Sequence, residues 1–366
     1  MRIREIYFHN VRAFRGEHRI SFVDSLTDAV RPVTVIAGTN GTGKTTIFDA
    51  IEALLQVLAG ISSVNDSNIL SEIKQNGLIC LTLELSRKDC LTNASYPYQS
   101  WPLHIVVGRS DLAPGNIENV WPNGIYLVTD HPSPSILESK HLESDLTNAI
   151  NQMQRGDAPL HGGLIYFPQS RQLFPSSPNG GGIQPPPPHS DWISRVTLTN
   201  EWPSSLESLW VWQNYLDLEA SAQGQTTAHL KSFVETVEDI LGEGRKISVK
   251  EGRVMVPVAW RQNGDGTLKV KLDQLPSGEQ QSLLLFGELA RRRRPGAVIL
   301  VDEPETSLHP TLQRLVVHQL RKFAREWDSQ LILATHSLEV LRAVHESQRI
   351  ILDQLDATEA QVEEAV

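Results

Sequence analysis

At 366 residues the chain is two to three times the usual domain length, so two lobes or one large domain with insertions is expected and a small disulfide scaffold is excluded. Hydrophobic residues at 40% and charged residues at 21% allow a real core and exclude intrinsic disorder. Lys and Arg number 33 against 43 Asp and Glu; the resulting formal charge of −10 gives no long-range attraction to nucleic acid or an anionic membrane, so any DNA contact must be local.

Residues 3–8 and 18–23 read as two short strands around an N-V-R-A-F-R segment, and Pro32–Ala37 as a buried strand ending at a glycine. The run Gly38-Thr-Asn40-Gly41-Thr-Gly43-Lys44-Thr45-Thr46 follows and fits G-x-x-x-x-G-K-[ST]. A helix over Thr45–Ala59 comes next, with Ile47, Ile51, Leu54, Leu55 and Leu58 at helical spacing and Gly60 as a stop. In such a loop the glycines let backbone N–H groups turn onto phosphate oxygens, and the helix directs its positive end at the same charge. Lys44 then neutralises the β and γ phosphates of ATP, and the Thr45 hydroxyl serves Mg²⁺.

From residue 61 to 161 the signals are β-like (Ile79–Leu85, Leu103–Val107, Ile125–Val128), then helical near Ile136–Met153, which predicts an inserted β-rich lobe. Only Cys80 and Cys90 occur, without metal-ligand spacing. The opening MRIREIYFHN lacks an apolar signal core and no run of 18 apolar residues exists, so a reducing cytoplasmic setting without a membrane is expected. Gly163–Phe167 is a second buried-strand candidate leading to Pro168-Gln169-Ser-Arg171. The Pro/Gly-rich run from Phe174 to His189 reads as a mobile surface loop. Ser205–Leu218 and Thr226–Leu241 are amphipathic helices of a helical lobe spanning 173–245. Lys246–Val249, Arg253–Val258 and Leu268–Leu272 suggest a small sheet.

Leu275-Pro-Ser277-Gly278-Glu279-Gln280-Gln281 precedes a helix over Ser282–Arg292 and makes a second anion cradle. One lobe needs only one, so the spare cradle implies a second copy that places it over the ATP of its partner. Ala297–Val301 is an apolar run delivering Asp302 and Glu303 to the C-terminal edge of a parallel sheet, where ligands bind. Asp302 is expected to hold Mg²⁺ and Glu303 to orient or deprotonate the attacking water, since metal binding withdraws the basicity of an acid. Leu331–Ala334 is a similar strand releasing His336, placed to contact the γ-phosphate or the water, with Ser337 opening a helix over Leu338–Val344. Arg291–Arg294 is the one basic cluster, read either as a solvated helix C-terminus or as a local duplex contact. The eight tryptophans, including Trp202, Trp210 and Trp212, are expected as core or interface anchors of the helical lobe, and Asp353 and Asp356 as solvated charges of an acidic tail over 353–366.

These motifs in this order resemble the ATP-binding-cassette ATPases. E-P-E-T-S-L-H-P at 303–310, S-G-E-Q-Q at 277–281 and I-x-x-I-x-x-x-N-V-R-A-F at 3–14 resemble the SMC, RecF and OLD branch of that group. The resemblance implies an α/β P-loop NTPase with a mixed or parallel sheet, its core drawn from 1–60, 162–172 and 246–352. It further implies Glu303 as catalytic acid with Lys44 and His336, Glu305–His309 as a dimer-facing loop, and Ser277–Gln280 as a signature supplied in trans. Gln169 would be the glutamine that binds Mg²⁺ and the water, with Arg171 as a rival phosphate contact. The 233 residues between Lys44 and Ser277 are too few for a long coiled coil, and no nuclease domain is expected in the 30 residues after His336. The expectation is an Mg²⁺-dependent ATPase that homodimerises on ATP and controls a separate effector, a nuclease or toxin, in bacterial anti-phage defence. A RecF-like DNA clamp is the alternative. The nucleotide-binding half of a transporter is a third reading, disfavoured by S-G-E-Q-Q and the large insertion.

Overall fold

The structure is a computed structural model and describes residues 1–60, 68–86, 100–128, 135–138, 147, 150–151, 161–171, 183, 185, 192–196, 205–241, 245–258 and 268–353. The first half runs β1 (Arg2–Val11), β2 (Phe14–Ser21), β3 (Val33–Ala37), α1 (Lys44–Leu58), α2 (Asn68–Asn76), β4 (Leu78–Ser86), β5 (Ser100–Gly108), α3 (Ile117–Val120), β6 (Gly124–Val128), β7 (Ser135–Glu138), β8 (Leu164–Phe167) and β9 (Ile193–Arg195). The second half runs α4 (Leu206–Ala222), α5 (His229–Leu241), β10 (Ser248–Lys250), β11 (Arg253–Val258), β12 (Leu268–Lys271), α6 (Ser277–Arg291), β13 (Val298–Asp302), α7 (Pro310–Glu326), β14 (Gln330–Thr335), α8 (Leu338–Arg342) and β15 (Arg349–Ile351).

Strands β15-β3-β14-β13-β8-β9 form a six-stranded sheet in which every pairing is parallel. Its central strands read as unbroken apolar runs because both faces are covered. Leu164, Tyr166, Val298, Leu300, Ile332 and Ala334 point to one core with α1, while Ile165, Phe167, Ile299, Val301, Leu331 and Leu333 point to another with α4–α7. Each fully buried Leu or Ile contributes about 2 kcal/mol, so one polar residue on either face would be felt. The strand ends then carry the polar residues to one edge, as the sequence predicts for Asp302 and His336.

A second six-stranded sheet, β2-β1-β4-β5-β6-β7, covers the other side of α1. Here the structure departs from expectation. Strands β4–β7 make no sheet of their own, because β4 pairs antiparallel with β1 (Tyr7 opposite Cys80, Phe8 opposite Ile79). The physical reason is that β1 and β4 both bury Ile3, Ile6, Phe8, Leu81 and Leu83 against α1, and each needs the other's ladder. Residues 135–138, expected as helix, are strand β7, paired with β6. Residues 87–99, with Cys90, the Pro/Gly-rich run apart from 183 and 185, and 354–366, with Asp356, lie outside the described residues. Cys80 is buried on the outer face of this sheet, and burial raises its thiol pKa well above the usual value, so it behaves as a small apolar residue. No helix among the described residues is long and apolar enough to cross a membrane.

Candidate active site

The phosphate loop lies between β3 and α1 as predicted, with Gly41 (φ 93) and Gly43 (φ 96) in the left-handed region that glycine tolerates. A Cβ on Gly43 would stand 2.7 Å from the Phe14 ring, so the N-V-R-A-F turn between β1 and β2 sits directly on the loop. Lys44 is buried, and its Nζ donates to the carbonyls of Gly38 and Thr39, both at 2.7 Å.

Asp353 is exposed, as expected of a solvated charge, but its carboxylate is engaged. Its carboxylate accepts from Thr39 N at 3.1 and 3.2 Å and from Thr39 Oγ1 at 3.1 Å. Strand β15 pairs with β3, and Leu352 N continues the ladder to Ala37 O, which brings the next residue to the loop entrance. No local pattern marks Asp353, because the pairing that places it joins residues more than 300 apart in sequence.

Thr45 Oγ1 donates to Asp302 Oδ2 at 2.9 Å, joining the start of α1 to the end of β13. Burial raises the Asp302 pKa, against the Thr45 hydrogen bond and the charges of Arg171 and Lys44. Glu303 has a left-handed backbone (φ 47). Its Oε2 accepts from Gln169 Nε2 at 2.7 Å, and its Oε1 lies 3.2 Å from His336 Nδ1, so residues after three different parallel strands meet at one carboxylate. A cleft of about 320 Å³ is lined by Asn40, Gly41, Gly43, Lys44, Thr45, Thr46, Gln169, Asp302 and Glu303. A second cavity of about 260 Å³ lies beside Asn40 and Gly41, between Ala13, Phe14 and His18 on one side and Leu352 on the other.

Arg171 does not face a phosphate. It is 1% exposed, and its guanidinium donates to the backbone oxygens of Pro168, Asp302 and Glu303, which leaves Gln169 as the residue of this segment that reaches the cleft. Glu305 also turns inward. It is buried, and its Oε1 accepts from Thr335 Oγ1 and from His336 N (3.3 Å), so it braces the histidine turn and is no surface for a partner. Of the remaining loop residues, Ser307 and His309 are exposed.

The second cradle starts earlier than expected, since α6 begins at Ser277 with no side-chain cap on its N–H groups. Ser277 is exposed. Gly278 packs so closely on the loop after β13 that a Cβ would stand 2.6 Å from Ser307 O. The side chains of Glu279 and Gln280, expected at the nucleotide, are engaged within the chain instead. Glu279 pairs with Arg245 at 2.6 Å, and Gln280 Nε2 donates to Asp273 O and Leu275 O. Their side chains close the turn, while the backbone N–H groups of the uncapped first turn, from Ser277 on, have no side-chain cap. None of these four residues, nor His336, lines the 320 Å³ cleft of the same chain.

The basic cluster offers little to a duplex. Arg291 and Arg292 are folded against the buried Glu288, and Arg293 lies over the Trp327 ring at 5.8 Å. Trp210 is a buried anchor of α4, as expected for the helical lobe, and Trp101, Trp121, Trp192 and Trp327 are buried elsewhere in the fold.

Two family profiles match the chain: one described as "AAA domain" over residues 5–80, and one described as "AAA domain, putative AbiEii toxin, Type IV TA system" over residues 126–342. Over 72 residues the chain is 32% identical to the phosphonates import ATP-binding protein PhnC of Lactobacillus johnsonii, covering 20% of this chain and 27% of that protein. Over 109 residues it is 30% identical to the thiamine import ATP-binding protein ThiQ of Photobacterium profundum, covering 30% and 44%. The chain thus spans less than half the length of these curated relatives. The SMC head domain from Thermotoga maritima is similar across 94% of this chain and 92% of its own, at 14% identity and a TM-score of 0.42. A phosphate loop, two acids and a histidine at one edge of a parallel sheet, together with a profile match over more than half of its residues, show that the chain belongs to the AAA-domain family of the second description, with an α/β P-loop NTPase fold.

Proposed function

We propose that the chain is an ATP hydrolase that closes head to tail with a second copy of itself on ATP and uses that closure to control a separate effector protein. The observation that carries this reading is the 320 Å³ cleft, in which the phosphate loop faces Gln169, Asp302 and Glu303 from the ends of β8 and β13. Lys44 and the loop N–H groups bind the phosphates, and the cavity beside Phe14 takes the nucleoside end. Glu303 acts on the attacking water: two neighbours, Gln169 and His336, fix its two oxygens, and Asp302 beside it takes the metal-holding role. Thr45, Asp302 and Gln169 offer the hard oxygen donors that suit Mg²⁺ and would hold it; once bound, the ion supplies positive charge to the phosphoryl oxygens. The uncapped start of α6 lies outside the cleft of its own chain, which fits a cradle offered to the ATP of a partner. The wording of the family description fits a toxin–antitoxin setting; a nuclease or toxin as the effector, in anti-phage defence, is our reading of that setting.

The test compares two substitutions in the same binding and turnover assays. Lys44→Ala removes the phosphate cation and abolishes nucleotide binding. Glu303→Gln keeps ATP bound while turnover falls at least ~100-fold. Equal, mild effects of the two would refute the assigned roles.

A further inference from the structure

Arg171 is a buried charge whose guanidinium hydrogen bonds go to backbone oxygens, with the carboxylates of Asp302, Glu305 and Glu303 near enough to favour its charged form. Its Nη1 donates to Pro168 O at 3.1 Å and Asp302 O at 2.7 Å, and its Nη2 to Glu303 O at 2.9 Å, while its Nε is buried with no hydrogen-bond partner. Desolvation lowers its pKa to about 10, so it remains charged at neutral pH. An apolar side chain would fill the same space without the cost of burying a guanidinium. What the guanidinium gains is control of two consecutive carbonyls, and the second belongs to Glu303, which holds a left-handed backbone (φ 47) that a non-glycine residue avoids unless its surroundings impose it. The backbone of that residue is also held by Glu303 N to Ala334 O at 2.9 Å, Thr306 N to Glu303 O at 3.2 Å and Thr306 Oγ1 to Glu303 O at 3.0 Å, and its carboxylate by Gln169 and His336. Arg171 is itself held from α6, where Gln281 Nε2 donates to Arg171 O at 3.0 Å, four residues from the exposed Ser277.

We infer that Arg171 is a positioning residue for hydrolysis: without touching nucleotide, it holds Glu303 in the left-handed conformation that aims its carboxylate into the cleft, and Gln281 ties this brace to the helix that begins at Ser277. The inference rests on Glu303 acting on the water, as proposed above. A brace of this kind affects turnover only through Glu303, whereas a general structural role lowers activity whatever stands at 303.

The experiment is a double-substitution cycle on the full chain, reading ATP affinity by fluorescent-nucleotide titration and hydrolysis under single-turnover conditions. Arg171→Met lowers turnover about 100-fold, as expected for a displaced catalytic group, with affinity within about threefold of wild type. Arg171→Lys, which keeps the charge and part of the donor set, loses about tenfold and serves the same cycle if the Met chain does not fold. In the Glu303→Gln background either substitution lowers the residual turnover by no more than about twofold, because the group it positions is already gone. The same fold-loss in both backgrounds, or affinity and turnover falling together, overturns the inference while leaving the hydrolytic reading intact. A Glu303→Gln chain as active as wild type overturns that reading, and this inference with it.

Discussion

Gly43 and Gly278 both lie where a Cβ would collide, yet their neighbours differ in kind. Gly43 meets an aromatic ring from the β1–β2 turn, and the loop around it is held by the chain's own Asp302 and Asp353. Gly278 meets the backbone of the loop after β13, the side chains of Glu279 and Gln280 beside it turn inward, and it does not line the 320 Å³ cleft. The first turn is one wall of a furnished pocket. The second is backbone geometry with its charge-bearing side chains withdrawn, a surface suited to meet phosphate that another molecule carries.

The largest expected contrast comes from making one change at both turns. Gly43→Ala combines a left-handed backbone with a clash against Phe14, so ATP affinity falls at least ~100-fold and stability by about 2–3 kcal/mol. Gly278→Ala pushes on the Ser307 carbonyl, so turnover at saturating ATP falls about 30-fold while affinity stays within about threefold. Loss of affinity at both sites would erase the contrast. A smaller effect is expected from Asp353→Ala, which frees Thr39 N and Oγ1: the KM for ATP rises about fivefold, near 1 kcal/mol for exposed hydrogen bonds, with kcat unchanged. An unchanged KM would return Asp353 to the tail. The smallest effect belongs to Glu279→Ala, which breaks the half-buried pair with Arg245 and costs about 1 kcal/mol in denaturant unfolding, without altering ATP affinity. A change in affinity there would restore Glu279 to the nucleotide.

The parts legible in the sequence were those whose meaning is local. The phosphate loop is a strand, a glycine turn and a helix that follow one another between Val33 and Leu58, and β13 and β14 announce themselves as apolar runs leading to Asp302 and His336. Roles set by distant pairing were hidden. Asp353 reaches Thr39 because β15 lies beside β3, and β4 joins β1 across 66 intervening residues that carry no sign of it. The choice between Gln169 and Arg171 stays open in the sequence for a different reason: beside Gln169, Arg171 looks like a second phosphate ligand, and only burial shows that its partners are carbonyls. The start of α6 was placed five residues late, because Ser277-Gly278-Glu279 reads as a turn, although Ser and Glu suit a first helical turn.

The central claim, that Ser277 and Gly278 of one copy complete the cleft of another, is tested most directly by mixing two inactive chains, Glu303→Gln and Ser277→Arg. If sites are shared, half of the randomly assembled dimers are mixed and each holds one intact site, so turnover recovers to roughly a quarter of the wild-type rate. A mixture no more active than its two components would contradict the account.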